Sequence, residues 1–245
     1  MKNFLLLLSA LFLAAAFPLA AQDTSGSSQS QPPAPTYLAP GAINAAGLLP
    51  TPPKDDSDDT VKELEVMVQA QAVRTPEQVT RIQQEEHYSV YDFGNVLSAW
   101  FGRGTPTTMP ATSGLLTHVA ADVAPIADAA TKDWTRLRPY QVNSRIIPAI
   151  EKPEGSSYPS ENSVRATVDA LVLSELEPNA SADIVARGKQ IGDDQVIAGV
   201  EFPSDVKAGR ILGLAIFNSL MADPQFQADL KKAKLEVIAE LRKGG

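Results

Sequence analysis

The chain has 245 residues, and its 29 acidic against 21 basic side chains give a formal net charge of −8. No basic stripe is available to neutralise a phosphate backbone, so nucleic acid is excluded as a partner. The absence of cysteine excludes disulfides, thiolate metal sites and lipid attachment through a cysteine.

At the start, Lys2 precedes an apolar run from Phe4 to Ala16, followed by Pro18-Leu19-Ala20-Ala21-Gln22. A charged start, a short apolar core and a small residue at the junction predict a secretory signal peptide over residues 1–21, cleaved before Gln22. The run is shorter than the roughly 20 apolar residues a membrane span needs. The expected product is a periplasmic or secreted chain with no membrane span. Residues 22–59 shift to Ser, Gln, Pro and Asp and predict a mobile leader. Its second half, Tyr37-Leu38-Ala39-Pro40 to Leu48-Leu49-Pro50, is apolar enough to pack along the body as an extended arm. Residues 60–245 then fit one domain, long enough to bury a substantial core.

That domain is periodic as helix nearly throughout. Val61, Leu64, Val68 and Ala72 recur at helical spacing, and Thr75-Pro76-Glu77 is a capping residue followed by proline at the first helical position. Further helices are predicted at Val90–Phe101, Ser113–Trp134, Val164–Leu176, Ala180–Gly192, Ser204–Met221 and Gln225–Leu241. Glu177-Pro178-Asn179 and Asp223-Pro224 punctuate them. No segment alternates with period two between turns, so the fold class is all-α, a single helical bundle.

Three short segments carry the functional reading. They are Arg136-Leu137-Arg138-Pro139, then Ser157-Tyr158-Pro159-Ser160-Glu161-Asn162, then Asp194-Gln195-Val196-Ile197-Ala198-Gly199-Val200-Glu201-Phe202-Pro203-Ser204-Asp205. Together they resemble the active-site motifs of bacterial class A non-specific acid phosphatases, within the superfamily of type 2 phosphatidic acid phosphatases and vanadium haloperoxidases. That family carries Lys-x6-Arg-Pro, Pro-Ser-Gly-His and Ser-Arg-x5-His-x3-Asp. The connecting text, Ala170 to Leu176 and Arg187-Gly188, agrees as well, so the resemblance runs from about Leu48 to Leu230.

The resemblance implies a helical acid-phosphatase fold and a defined chemistry. A histidine attacks phosphorus, a second histidine protonates the leaving alkoxide, an aspartate orients the nucleophile, and Lys, two Arg, Ser and backbone amides hold the phosphoryl oxygens. At the matching positions of this chain only Arg138, Ser160 and Asp205 survive as remnants of the phosphate pocket. The lysine position holds Thr131, with Lys132 beside it; the glycine and acid-histidine positions hold Glu161 and Asn162. The serine and arginine positions hold Asp194 and Gln195, and the nucleophile position holds Glu201.

Loss of both histidines removes the covalent step and the proton donor together, so an exported, catalytically inactive pseudophosphatase with a binding role is expected. The chain's two histidines, His87 and His118, lie outside the motifs and are read as a solvated helix end and a structural or surface residue. Arg138 set against Glu161, Glu201 and Asp205 predicts a negative pocket in which phosphate affinity is lost, unless Lys132 or a metal intervenes. At an effective dielectric near 20, like charges about 4 Å apart repel by about 4 kcal/mol.

Several alternatives remain open at this stage. A rebuilt phosphomonoesterase would use Glu201 as nucleophile with Lys132. An oxygen-ligand metal site would draw on Glu161, Glu201, Asp205, Asp194 and Asn162. A glycosidase-like carboxyl pair and a contact surface for an envelope protein are the other two. No cofactor is implied, and no metal ligand set stands out. Trp134 is read as core or rim packing close enough to the old pocket to line it.

Overall fold

The computed structural model describes residues 36–39, 41–104 and 106–243. The predicted signal peptide and the first part of the leader lie outside the described residues. Ten α-helices follow in order: α1 (Ala45–Leu48), α2 (Asp58–Ala72), α3 (Pro76–Gln84), α4 (Trp100–Arg103), α5 (Pro110–Thr131), α6 (Pro139–Val142), α7 (Glu161–Leu176), α8 (Ser181–Ala198), α9 (Pro203–Ala222) and α10 (Pro224–Lys243). Among the described residues there is no strand, and the all-α class stands.

α7 is the central helix, packed against α8, α9 and α5, while α10 covers α5. Its sequence explains this position. Val164, Ala166, Val168, Ala170, Val172 and Leu173 fall on more than one face and are all buried, the pattern of a helix enclosed on several sides. Small residues let its neighbours approach closely. A Cβ at Gly209 on α9 would stand 2.5 Å from the Ser160 carbonyl oxygen, so glycine there allows α9 to lie against the start of α7.

Two carboxylates fasten the ends of the bundle. Glu236 on α10 accepts the backbone N–H groups of Ala111 and Thr112, two orphan donors of the first turn of α5. Glu177 accepts from Ser98 N–H and Trp100 Nε1, tying the loop before α4 to the end of α7.

The second half of the leader packs along the body as expected, with Tyr37, Leu38, Ala45 and Leu49 buried in the main core. Asp122 on α5 holds that arm by accepting the backbone N–H groups of Thr36, Tyr37 and Leu38. The single helix expected at Val90–Phe101 is instead a 3-10 turn at Val90–Phe93 and the short α4. The Asp92 carboxylate caps the turn through Ser89 N–H, and Glu177 takes the Ser98 N–H, a donor a continuous helix would have used, together with the Trp100 indole N–H. The other expected helices are present, with ends shifted by a few residues.

Candidate functional site

The ends of four helices build the site. α8 ends at Gly199, whose φ of +81° is the left-handed conformation a Cβ disfavours, and the chain turns sharply through Val200 and Glu201. Pro203 then opens α9, and Asp205 at its third position accepts Phe202 N–H at 2.7 Å. Ser160 caps α7 by accepting Ser163 N–H, and its own N–H reaches the Asp205 carbonyl at 3.0 Å. Arg138 precedes α6, its backbone N–H bonded to the Gln141 side chain.

These elements enclose a cleft of about 300 Å³. Five of the positions singled out from sequence line it: Arg138, Glu161, Asn162, Gln195 and Glu201. Glu86, His87, Ile150, Glu151, Lys152 and Pro153 complete the wall. Ser160 is buried beneath it, where it favours the ionised form of the Glu201 carboxyl.

The Arg138 guanidinium is largely committed to the backbone. Its Nη1 donates to the Val200 carbonyl at 3.1 Å, and its Nη2 to those of Glu154 and Ser156 at 3.2 Å each. Its Nη1 stands 3.9 Å from Glu201 Oε1, an ion pair too long for a hydrogen bond. Glu201 Oε2 has no hydrogen-bond partner. Burial pushes the Glu201 carboxyl up to about 7; Arg138 and Ser160 oppose that shift, and Asp205 and Glu161 add to it.

Asp205 is fully buried and turned to other partners. Arg136 Nη1 meets its Oδ1 at 2.5 Å, and Arg136 also donates to Ser204 Oγ at 2.7 Å and to Glu63 Oε2 on α2 at 2.9 Å. The Arg136 guanidinium carbon lies 4.1 Å from the centroid of the Phe202 ring. Burial raises Asp205 to about 6, with Arg136 and the Phe202 N–H pulling the other way, so it is ionised at neutral pH opposite its arginine.

Several expected site residues stand elsewhere. Asp194 is fully buried in a two-pronged pair with Arg81 of α3, at 2.7 and 2.8 Å, and does not line the cleft. Thr131 ends α5 with its hydroxyl on the Asp128 carbonyl. Lys132 is exposed and paired with Asp128 at 2.7 Å, so it brings no charge to the cleft. Trp134 stacks edge-on against Tyr158 and lines a separate groove with residues 51–56. His118 lies within hydrogen-bond distance of the Tyr37 hydroxyl, a structural placement. Among the described residues no cluster of three or more His, Asp or Glu side chains is arranged to hold a metal.

Sequence reasoning missed Arg136 as the shared partner of Asp205 and Glu63, and His87 and Lys152 as cleft residues. Arg136 stood in plain view two residues before Arg138, but nothing in the spacing says which arginine meets which carboxylate.

A buried serine and a buried arginine stand at the starts of helices in this all-α bundle, and the relatives of the chain are acid phosphatases. The non-specific acid phosphatase of Providencia stuartii is 30% identical over 210 residues, 82% of this chain and 84% of that one. That of Salmonella typhimurium is 29% identical over 202 residues, 80% and 81% of the two chains. An acid phosphatase of Zymomonas mobilis is 32% identical over 112 residues, 44% of this chain. The chain belongs to the non-specific acid phosphatase family. A solved transmembrane PAP2-type phosphatidylglycerolphosphate phosphatase from Bacillus subtilis aligns over 71% of this chain and 87% of its own, at 18% identity and a TM-score of 0.45. No protein-family model matches the chain. Among the described residues no helix is long and apolar enough to cross a membrane.

Proposed function

We propose that this member of the acid phosphatase family has lost phosphohistidine catalysis and acts, after export through its N-terminal signal sequence, by binding in the old active-site cleft. The observation that carries the reading is Glu201. It takes the nucleophile's position as a buried carboxyl beside Arg138, where an attacking imidazole would be needed. The remaining parts point the same way. Asn162 at the acid position has no proton to give a leaving alkoxide, and Gln195 replaces a guanidinium of the phosphate clamp with a neutral amide. Asp205, the orienting carboxylate of the family, is occupied by Arg136.

Burial brings Glu201 near neutrality, but a protonated carboxyl is a poor nucleophile. The ionised form would face a phosphate dianion across a lining already rich in carboxylates. Retention of Arg138 and Ser160 follows from their work in the fold: one ties three carbonyls and the other caps α7.

Hydrolysis of an aryl phosphomonoester, followed from about pH 4 to about pH 8 with Glu201→Ala prepared in parallel, tests the reading. Rates equal to those of the variant are expected. Turnover that disappears in Glu201→Ala would mean that a carboxylate has taken over the histidine's place.

A further inference from the structure

The last helix, α10, carries two rows of residues at the same spacing, and the fold uses one of them. Phe226, Leu230, Ala233 and Val237, at i, i+4, i+7 and i+11, are buried against the bundle. Lys231, Leu235, Ile238 and Arg242 repeat that spacing about 140° round the helix, and all are exposed. Leu235 is 62% exposed and Ile238 43%, while Leu241, at 38%, and Lys234 flank the row on the side nearer the core.

Charge is segregated round this helix. Asp229, Glu236 and Glu240 form a third row, about 150° from the outward one. Glu236 there accepts the first amides of α5, Asp229 pairs with Lys232 and Glu240 with Lys243. No acidic residue of α10 falls on the outward row. Among the described residues Lys231 and Arg242 enter no ion pair, and Lys234 meets Glu175 of α7 at 2.6 Å.

Two exposed aliphatic side chains between two free cations restrict what can cover them. A second copy docking the same row by twofold symmetry would set cation against cation in either orientation, because the row holds no acid to answer Lys231 or Arg242. A bilayer surface with anionic headgroups fits the order of the row. The aliphatic side chains would enter the acyl boundary while the longer Lys and Arg stems carry their charges out to the phosphates. The net charge of −8 does not forbid this contact. The acids of α10 stand across a helix about 10–12 Å wide, beyond the Debye length of about 8 Å at physiological salt.

We infer that α10 is a docking face for the surface of a bilayer containing anionic lipid, with Leu235 and Ile238 entering the interface and Lys231 and Arg242 at the headgroups. This face is separate from the cleft, so turnover in the phosphomonoester assay would leave it untouched.

The mature chain from Gln22, which keeps every described residue, is to be floated with vesicles of phosphatidylcholine, with and without phosphatidylglycerol. Vesicles containing phosphatidylglycerol are expected to carry about tenfold or more protein, and salt of about 1 M, where the Debye length falls to about 3 Å, is expected to lower that binding. Lys231→Glu with Arg242→Glu, and separately Leu235→Ser with Ile238→Ser, should each reduce it by about tenfold or more. All four positions are exposed, so both double variants should melt close to the parent. No flotation, equal flotation with both vesicles, or binding unchanged in either double variant would overturn the inference. A dimer in sedimentation equilibrium that Leu235→Ser with Ile238→Ser dissolves would also overturn it and give the face to a second copy. Binding to polyglutamate without binding to vesicles would overturn it in favour of an acidic polypeptide.

Discussion

Two carboxyl groups on the same turn, Glu201 and Asp205, are both buried and meet opposite fates. Asp205 has Arg136 at 2.5 Å and the Phe202 N–H at 2.7 Å, and its arginine is shared with Glu63 of α2. Glu201 has an arginine at 3.9 Å whose Nη groups face carbonyls, and one Glu201 oxygen and the Arg138 Nε are both buried without a partner. Asp205 is absorbed into the ion pairs of the fold, and Glu201 keeps a buried oxygen without a partner. A surviving motif residue is therefore no evidence of surviving chemistry.

The sharpest way to break the comparison is on the paired side. Arg136→Met leaves Asp205 and Glu63 without their cation, and a loss of about 3–5 kcal/mol is expected in urea unfolding. On the open side the sign is set by protonation. The Glu201 carboxyl is raised from 4.5 to about 7 in the folded chain, so its stabilising contribution is present below about pH 4.5 and is lost as pH rises through about 7. Asp205, raised to about 6, acts in the same direction. The protein should be more stable at pH 5 than at pH 8, with Glu201 accounting for at most about 3 kcal/mol. Glu201→Gln should reduce the pH dependence between those values, leaving the part due to Asp205, Asp169 and Glu85, and an unchanged slope would count against burial of the Glu201 carboxyl as its cause.

Smaller effects test the frame around the two groups. Asp122→Ala removes the acceptor of three arm amides, for which a loss of about 1–3 kcal/mol and faster proteolysis between residues 36 and 50 are expected. Lys132→Ala breaks only an exposed pair with Asp128 and should shift stability by less than about 0.5 kcal/mol, with the cleft unaffected.

The helices were legible because they are amphipathic or uniformly apolar over long runs, with proline marking α3, α9 and α10 at their starts. The segment 90–101 misled because its apolar residues have helical spacing while Asp92 caps a short turn and Glu177, 79 residues away in sequence, takes the Ser98 N–H. Within the cleft, Arg138, Glu161, Asn162, Gln195 and Glu201 were legible through motif spacing. The partners of Asp194 and Asp205 were not, since Arg81 lies 113 residues from the first and Arg136 lies 69 from the second. Pairing at that range is decided by packing of α2 and α3 onto the bundle, which periodicity does not encode. The charge of the cleft was misjudged for the same reason: Asp205 belongs to Arg136 and Glu161 pairs with Arg165, while Glu86, Glu151 and Lys152 enter the wall from other segments.

The central claim is that no side chain in this cleft takes a phosphoryl group. Intact-mass spectrometry of the protein, denatured rapidly during incubation with an aryl phosphomonoester, tests it most directly. Unmodified protein is predicted at every time point. A phosphoryl adduct that is absent in Glu201→Gln would contradict the account and establish Glu201 as a working nucleophile.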